Sequence, residues 1–162
     1  MVRIVSIIIK LFSGISRRLV TFYYKHAFQS CGFGVYIDGH VKIYNPECIS
    51  VGNMVTINRG VILQGSQTGK IRIGNNVTIS YSARVLTAGL SSSLDKHCYK
   101  DVCIGNNVWV ASDVTLLPGV TIEDNIIIGA GAVVTKDLKS GYVYGGIPAK
   151  QIKRIDCDTV SN

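Results

Sequence analysis

Hydrophobic residues return at every sixth position between residues 102 and 137. This stretch divides into six blocks of six, VCIGNN, VWVASD, VTLLPG, VTIEDN, IIIGAG and AVVTKD, each opening with an aliphatic residue or alanine. A second aliphatic residue stands two places further on, at Ile104, Val110, Leu116, Ile122, Ile128 and Val134. An α-helix has no period of six, and one long strand would alternate without breaks. The repeat therefore predicts one short strand and one turn per block, wound into a parallel β-helix.

The same period extends back to Val35 and gives fourteen units, or about four to five coils of three units each. Glycine and asparagine in the repeated sequence IGNN, at 73–76 and 104–107, mark turns where they tolerate positive φ. The earlier inward aliphatic residues are Ile37, Ile43, Val51, Ile57, Leu63, Ile73, Ile79 and Val85. Four places after most of the inward aliphatic residues stands a second small or aliphatic residue. These second residues are Val41, Val55, Val61, Val77, Ala83, Val108, Val114, Val120, Ile126 and Ala132.

The period breaks at three places, each of which we expect to be a loop. Two extra residues follow Ile43 and four follow Leu63. Thirteen extra residues follow Val85, in a polar, serine-rich segment that has no periodicity of its own. Insertions in a solenoid map to loops on one face and often carry the function. We therefore expect segment 86–101 to be a functional loop within a β-helix domain that spans residues 35–154.

Residues 1–28 have a different pattern, typical of one apolar face of a helix. Apolar residues recur at steps of four and three, at Ile4, Ile8, Leu11, Ile15, Leu19 and Phe22. Arg3, Lys10 and Arg17 fall on a common stripe beside this face, and no acidic residue precedes Asp38. The apolar runs are far shorter than the ~20 residues of a spanning helix, and no secretory cleavage site follows them. Two roles remain open: a cap on the β-helix or a neighbouring subunit, or contact of residues 1–25 with an anionic membrane surface.

Composition narrows the class of protein. A chain of 162 residues fits one domain, and 47% hydrophobic residues supply a core. The net charge of +7 attracts nucleic acid, anionic membrane or phosphorylated small molecules, but no nucleic-acid-binding motif or aromatic stacking platform is present. The five cysteines are odd in number and form no CxxC pair, which favours a reducing, cytoplasmic location over disulfides or a zinc site. The chain closes in a polar tail, residues 155–162.

The segment IGNNVWVASDVTLLPGVTIEDNIIIGAGAVVTKDLKSGYVYGGIPAK resembles the hexapeptide-repeat acyltransferases. It is similar to the branch that holds galactoside, maltose and streptogramin acetyltransferases and many polysaccharide O-acetyltransferases. The resemblance implies a left-handed β-helix, against the usual right-handed crossover. It also implies a homotrimer with active sites between neighbouring subunits, acetyl-CoA as the donor and no metal.

Acetyl transfer to a hydroxyl needs a base, and histidine is the usual choice. The chain has three histidines: His26 in the predicted helix, His40 in the first coil and His97 in the long insertion. Many relatives carry their catalytic histidine directly after a Thr/Ser-Gly turn, whereas here Thr87-Ala88-Gly89 is followed by leucine and serine. His97 stands where relatives often carry a second histidine, and we predict that it is the base. The alternative for each histidine is an ordinary surface residue.

The resemblance implies further site residues. Asn58 matches an asparagine that contacts acceptor sugar, although a plain turn asparagine is the alternative. Trp109 matches the tryptophan that lies beside the pantetheine arm in relatives. An exposed indole is a suitable surface for a slender apolar arm. Ser112 and Ala130 match positions near the thioester, where a small residue or a backbone N–H meets the developing oxyanion. The positions that hold the CoA phosphates in relatives correspond here to Thr135, Lys136, Lys150, Lys153 and Arg154. The alternative for these residues is a solvated basic tail.

The sequence thus predicts an acetyl-CoA-dependent O-acetyltransferase acting on a sugar hydroxyl. Because the basic N-terminal pattern suits the inner membrane face, we expect an acceptor in capsule, O-antigen or exopolysaccharide assembly. Three alternatives remain open: a serine acetyltransferase, which usually has a longer helical N-terminal domain, a sugar N-acetyltransferase, and a catalytically inactive β-helix that serves as a binding module. A metal-dependent hydratase is disfavoured because three histidines would have to converge.

Overall fold

The computed structural model describes residues 18–90 and 96–155. Short strands follow one another in groups of three, one group to each coil. Each strand pairs in parallel with the equivalent strand of the coil before it, which builds a prism of five coils with three faces. The predicted left-handed parallel β-helix is confirmed. The first coil begins one strand before Val35, at Ser30–Cys31, where the sequence lacks the aliphatic signal of later units.

Three faces form the sides of the prism. The first face consists of β1 (Ser30–Cys31), β4 (Ile49–Val51), β7 (Ile71–Ile73), β12 (Val102–Ile104) and β15 (Thr121–Ile122). The second face consists of β2 (Tyr36–Ile37), β5 (Thr56–Ile57), β8 (Val77–Ile79), β13 (Val108–Val110), β16 (Ile126–Ile128), β18 (Tyr142–Gly145) and β19 (Lys150–Arg154), the last being antiparallel. The third face consists of β3 (Lys42–Tyr44), β6 (Ile62–Gln64), β9 (Arg84–Leu86), β14 (Thr115–Leu116) and β17 (Val133–Val134).

The core is the narrow interior of the prism. The aliphatic residues predicted to point inward are buried, with the exception of Val41 and Ile43, which are partly buried. Both exceptions lie in the first coil, next to the end of the stack, where no preceding coil covers them. Burial of a valine, leucine or isoleucine side chain contributes roughly 1.5–3 kcal/mol. The six-residue period thus places a stabilising side chain in every layer.

The corner between the first and second faces, here called the asparagine corner, has no insertion. A glycine follows each first-face strand in the first four coils, and the next two residues are mostly asparagine. Asn75 and Asn106 link successive coils through Oδ1, since the Asn75 backbone N–H and Nδ2 each donate to Asn106 Oδ1 at 2.9 Å. A second ladder runs beside it, from Asn76 Nδ2 to Asn107 Oδ1 at 2.9 Å. These bonds supply the turns with partners in every coil.

All three predicted insertions lie at one corner, between the third face and the first face of the next coil, here called the insertion corner. The first insertion holds a short 3₁₀ helix, Pro46–Cys48, and the second is closed by reciprocal backbone bonds between Ser66 and Gly69. The third was expected to be an irregular loop. Its described parts instead pair as an antiparallel hairpin, β10 (Ala88–Leu90) with β11 (His97–Tyr99).

Helix α1, described over residues 18–27, closes the N-terminal end of the prism. Val20, Tyr24 and Phe28 pack on the core, and Thr21 Oγ1 bonds both the carbonyl and the N–H of Ile37 at 3.1 and 3.2 Å. Helix α1 therefore caps the prism, but the predicted apolar face was wrong here, since Val20 and Tyr24 face the core while Leu19 and Phe22 are exposed. The apolar residues Ile4, Ile8, Leu11 and Ile15 and the stripe at Arg3, Lys10 and Arg17 lie outside the described residues, as do positions 156–162. Within residues 18–90 and 96–155, no helix has the length and hydropathy that crossing a membrane requires.

Candidate active site

Trp109 projects from the second face. It is the central residue of β13, pairs with Thr78 on one side and Ile127 on the other, and is 52% exposed. Its Nε1–H donates to Ser80 Oγ at 3.0 Å, which fixes the orientation of the indole. The flat apolar ring is therefore held against the face while a large part of its surface stays open to a ligand.

Ser112 and Ala130 lie at the corner between the second and third faces, here called the middle corner. The Gly131 N–H donates to the Ser112 carbonyl at 2.9 Å, so the two turns stack directly. In the described part of the chain, the backbone N–H groups of Ser112 and Ala130 donate to no protein acceptor. Both amides are thus available to a ligand, as a site for a developing oxyanion requires.

Asn58 lies at the same corner, three coils before Ala130. Its backbone N–H and its Nδ2 both donate to the Ile79 carbonyl, at 2.9 and 3.2 Å. The amide nitrogen therefore stabilises the turn, which is the alternative role that the sequence left open. The Oδ1 atom makes no hydrogen bond to a described residue and is the atom that an acceptor hydroxyl could reach.

His97 lies on the other side of the prism. It is an exposed residue in β11, opposite Leu90 in the hairpin, and its ring centroid is 6.4 Å from that of Tyr99. The hairpin leaves the insertion corner, and in a three-sided prism this corner is opposite the second face. Within one chain, His97 and Trp109 therefore cannot line one pocket.

The first leg of the hairpin is anchored by Thr87. Among the described residues, Thr87 is the one fully buried polar side chain. Its Oγ1 donates to the Gln64 carbonyl at 2.7 Å, and its own carbonyl accepts the Lys100 N–H at 2.9 Å. Because Thr87 precedes β10 and Lys100 follows β11, these bonds hold both legs together at the base.

The second leg is anchored by Asp101. Its carboxylate accepts the Lys70 backbone N–H at 2.8 Å and an Arg72 guanidinium N–H at 2.7 Å. These two donors, the backbone N–H first, hold the pKa of the Asp101 carboxyl below its ordinary value. Arg72 also contacts Cys103 Sγ at 3.6 Å. The hairpin that carries His97 is therefore a fixed projection at its base.

The residues predicted to hold CoA phosphates lie at the C-terminal end. Thr135 and Lys136 follow β17 at the insertion corner, the same corner as His97, and both are exposed. Lys150, Lys153 and Arg154 belong to β19, at the far edge of the second face. The Arg154 guanidinium lies 5.6 Å from the centroid of the Tyr142 ring, which holds it by a cation–π contact.

The structure thus divides the predicted residues into two groups. Asn58, Trp109, Ser112 and Ala130 share the second face and the middle corner, with the cations of β19 beyond them. The insertion corner holds His97, Thr135 and Lys136. In the described ranges, no group of three or more histidine, cysteine or acidic side chains is placed to hold a metal ion. The two groups can line one site only where two copies of the chain meet.

Sequence reasoning missed a cluster at the middle corner. Arg59 and His40 are 19 residues apart, yet the guanidinium and the imidazole Nε2 lie 3.3 Å from each other. Asp38 Oδ1 lies 3.8 Å from the other ring nitrogen, Nδ1. The signal was present in the period, since the first two coils align with an offset of 20 residues, which places Arg59 one position before the equivalent of His40.

The family described as bacterial transferase hexapeptide (six repeats) matches residues 102–136. The galactoside O-acetyltransferase of Escherichia coli (strain K12) is 31% identical over 136 residues, which are 82% of this chain and 66% of that protein. A chloramphenicol acetyltransferase of Morganella morganii is 30% identical and aligns over 82% of this chain and 62% of that protein. A solved maltose O-acetyltransferase from Clostridium difficile 630 superposes with a TM-score of 0.70 at 30% identity, over 82% of this chain and 73% of that chain. The chain spans about two thirds or less of the length of the two curated relatives.

Proposed function

Because this chain belongs to the hexapeptide-repeat acyltransferase family, we propose that it is an acetyl-CoA-dependent acetyltransferase that works as a homotrimer. The observation that carries this proposal is the separation of His97 from Trp109. A base on one side of the prism and an indole platform on the other suit a ring of copies, in which each hairpin reaches the second face of its neighbour. Three equivalent sites then form between subunits.

The proposed reaction is acetyl transfer to a sugar hydroxyl. His97 takes the proton of the attacking hydroxyl, and the hydroxyl oxygen bonds to the thioester carbon. The backbone N–H groups of Ser112 and Ala130 donate to the oxyanion that develops there. The C–S bond then breaks, and His97 returns the proton to the leaving thiolate of CoA. Trp109 contacts the pantetheine arm, and the cations of β19 with Thr135 and Lys136 bind the phosphates.

A complementation experiment tests this arrangement. His97→Ala and Trp109→Ala should each reduce acetyl transfer by at least about 100-fold, the usual size for loss of a general base or a positioning contact. Mixed trimers, refolded from equal amounts of the two variants, should recover about a quarter of wild-type activity, because a quarter of the interfaces then pair an intact His97 with an intact Trp109. Each variant refolded alone is the control.

Two results would reject the arrangement. Full activity of His97→Ala would remove the base from its role. Trimers that form but recover no activity on mixing would place both residues in the site of a single chain. A chain that binds no CoA at all would instead be the binding module that the sequence left open.

The acceptor that we favour is a sugar used in surface polysaccharide assembly. Asn58 Oδ1, with no hydrogen bond to a described residue, supports a polar acceptor at the middle corner. Incubation with acetyl-CoA and a panel of sugars, nucleotide sugars, serine, amino sugars and chloramphenicol, followed by thiol release, tests this choice. Serine or an amino sugar as the best acceptor would favour the alternatives named above.

We further propose that the enzyme works in the cytoplasm, at the inner membrane face. The outer side of α1 supports this, since Leu19, Phe22 and Tyr23 are 63–65% exposed although their neighbours on the inner side cap the core. Arg18 and Lys25 flank them, and both are exposed. Apolar residues beside cations are typical of helices at an anionic interface. In a trimer built by rotation, all three α1 helices point to the same end, which multiplies the affinity.

Vesicle sedimentation tests the membrane contact. The protein should bind vesicles containing phosphatidylglycerol and bind pure phosphatidylcholine vesicles far less. The variant Leu19→Ser/Phe22→Ser/Tyr23→Ser should lose binding while remaining a folded trimer. Binding unchanged in that variant would reject α1 as the contact, and a variant that is folded but no longer trimeric would assign this face to subunit contact.

A further inference from the structure

Arg59 and His40 form a basic cluster near the N-terminal end of the middle corner. The Arg59 guanidinium approaches His40 Nε2 at 3.3 Å, and both side chains are exposed. In the described part of the chain, no carboxylate lies within 4.0 Å of the Arg59 guanidinium. This contrasts with Arg72, which Asp101 neutralises on the opposite face. Arg59 therefore presents an uncompensated positive charge.

Asp38 orients the cluster rather than neutralising it. Its carboxylate is 3.8 Å from His40 Nδ1, on a different edge of the ring from the one that faces Arg59, and only 16% of its side chain is exposed. The imidazole is thus held between a mostly buried carboxylate and the guanidinium. Both ring nitrogens therefore face protein groups, while the guanidinium N–H groups that do not face His40 remain open to solvent.

The cluster lies on the same line as the proposed thioester site. Backbone bonds connect His40 to the second coil, Arg59 to the third, Tyr81 to the fourth and Ser112 to the fifth, each carbonyl accepting an N–H of the following coil at 2.9–3.0 Å. Successive coils are about 4.8 Å apart. Arg59 is therefore about 10 Å from Ser112, and Tyr81, which is exposed, stands between them.

We propose that Arg59, which His40 helps to position, binds the phosphate groups of a sugar diphosphate, and that the acceptor sugar lies over Tyr81 with its hydroxyl toward Ser112. This inference rests on the proposed function, since it names the substrate class of that site. A guanidinium binds phosphate through parallel charge-assisted hydrogen bonds, an aromatic ring suits the apolar face of a sugar, and one sugar ring fits the space of two coils.

Calorimetry with inorganic pyrophosphate, at saturating CoA, tests the phosphate site without any turnover. Saturating CoA occupies the other cations that bind phosphate, so that the pyrophosphate binding measured here reports on the middle corner alone. Arg59→Gln should weaken pyrophosphate binding at least about 10-fold, and His40→Gln by a smaller factor. The matched control, Arg72→Gln, removes the same charge from the opposite face and should leave the affinity within about twofold.

The outcomes separate the two proposals. A chain that binds no CoA contradicts the proposed function. A chain that binds CoA but not pyrophosphate, or that binds pyrophosphate equally well as Arg59→Gln, contradicts only the sugar diphosphate site.

The diphosphate can come from a nucleotide sugar or from a lipid-linked sugar. Two further arms compare UDP-glucose in solution with phosphatidylcholine vesicles that carry glucosyl polyprenyl diphosphate. Tighter binding that depends on Arg59 identifies the source, nucleotide in the first arm and lipid in the second. Binding in neither arm, or binding that Arg59→Gln leaves unchanged in both, would overturn the site.

Discussion

The asparagine corner and the insertion corner both connect short parallel strands, but they differ in the length of their turns and in how those turns are hydrogen-bonded. At the asparagine corner, side-chain amides and close glycine contacts connect each coil to the next. At the insertion corner the turns differ in length from coil to coil, and each is closed by its own set of bonds. The comparison indicates that one corner carries continuity along the axis, which leaves the other free to vary.

Gly74 offers the strongest test of the asparagine corner. A Cβ at this position would lie 2.5 Å from the carbonyl oxygen of Gly105 in the next coil, and backbone cannot move aside as a side chain can. We expect Gly74→Ala to destabilise the protein by about 3 kcal/mol, the upper range for overpacking. Gly131→Ala, where a Cβ meets no atom within 4 Å but φ is +70°, should cost only about 1 kcal/mol. Equal losses in chemical denaturation would remove the contact argument.

Thr87 tests the insertion corner. Thr87→Val keeps the shape but removes the bond to the Gln64 carbonyl, with an expected loss of about 1–2 kcal/mol. Because the hairpin base loosens, acetyl transfer should fall through kcat while the KM for acetyl-CoA stays unchanged. Thr87→Ser should restore both quantities, since it keeps the hydroxyl. A Val variant with normal kcat would show that the hairpin position does not depend on this bond.

A reciprocal exchange sharpens the comparison at the asparagine corner. Met54 and Asn107 occupy the same place in different coils, with φ of 55° at both. Asparagine tolerates this left-handed conformation and methionine does not. Met54→Asn should therefore raise stability by about 1 kcal/mol, and Asn107→Met should lower it by more than that because it also removes the bonds of Asn107 to Asn76 and Asn125, as measured by thermal unfolding. Changes of the same sign in both variants would contradict the left-handed conformation as the cause.

The smallest expected effect concerns pH at the insertion corner. The pKa of Asp101 is lowered in the folded chain, so its contribution to stability is present above the unfolded value, about 3.9, and is lost as the pH falls through the folded value. The pair with Arg72 is exposed and contributes at most about 1 kcal/mol. Asp101→Asn should thus lower the unfolding temperature at neutral pH and approach the wild type as the pH falls through the lowered pKa of Asp101. A difference that is constant with pH would exclude the charge as its source.

The sequence predicted the parallel coils, the inward residues and the three insertions, because burial of an aliphatic side chain every sixth residue leaves few other solutions. It did not predict the β10–β11 hairpin, since polar residues that pair in a projecting hairpin leave no hydrophobic period. Nor did it predict β1, whose Ser30 and Cys31 lack the aliphatic signal.

For the candidate site, the sequence proposed residues but not their arrangement. His97 and Trp109 lie on opposite sides of the prism because the long insertion leaves it at the insertion corner. The sequence identifies that corner only after every turn of every coil has been assigned. The contact between Arg59 and His40 likewise depends on stacking, which joins residues 19 apart. Asn58 shows the reverse case, since its residue type suits a turn and a ligand equally well and only its bonds to Ile79 separate the two.

The hairpin leaves the prism after the third coil, and two complete coils separate it from β18 and β19. Each coil adds about 4.8 Å, so the stack sets a fixed length between the reacting end of the donor and the cations that would hold its far end. Duplication of residues 102–119, one whole coil, would lengthen this distance by one step without changing any turn. The number of coils therefore determines how long a carrier molecule can extend between these two positions.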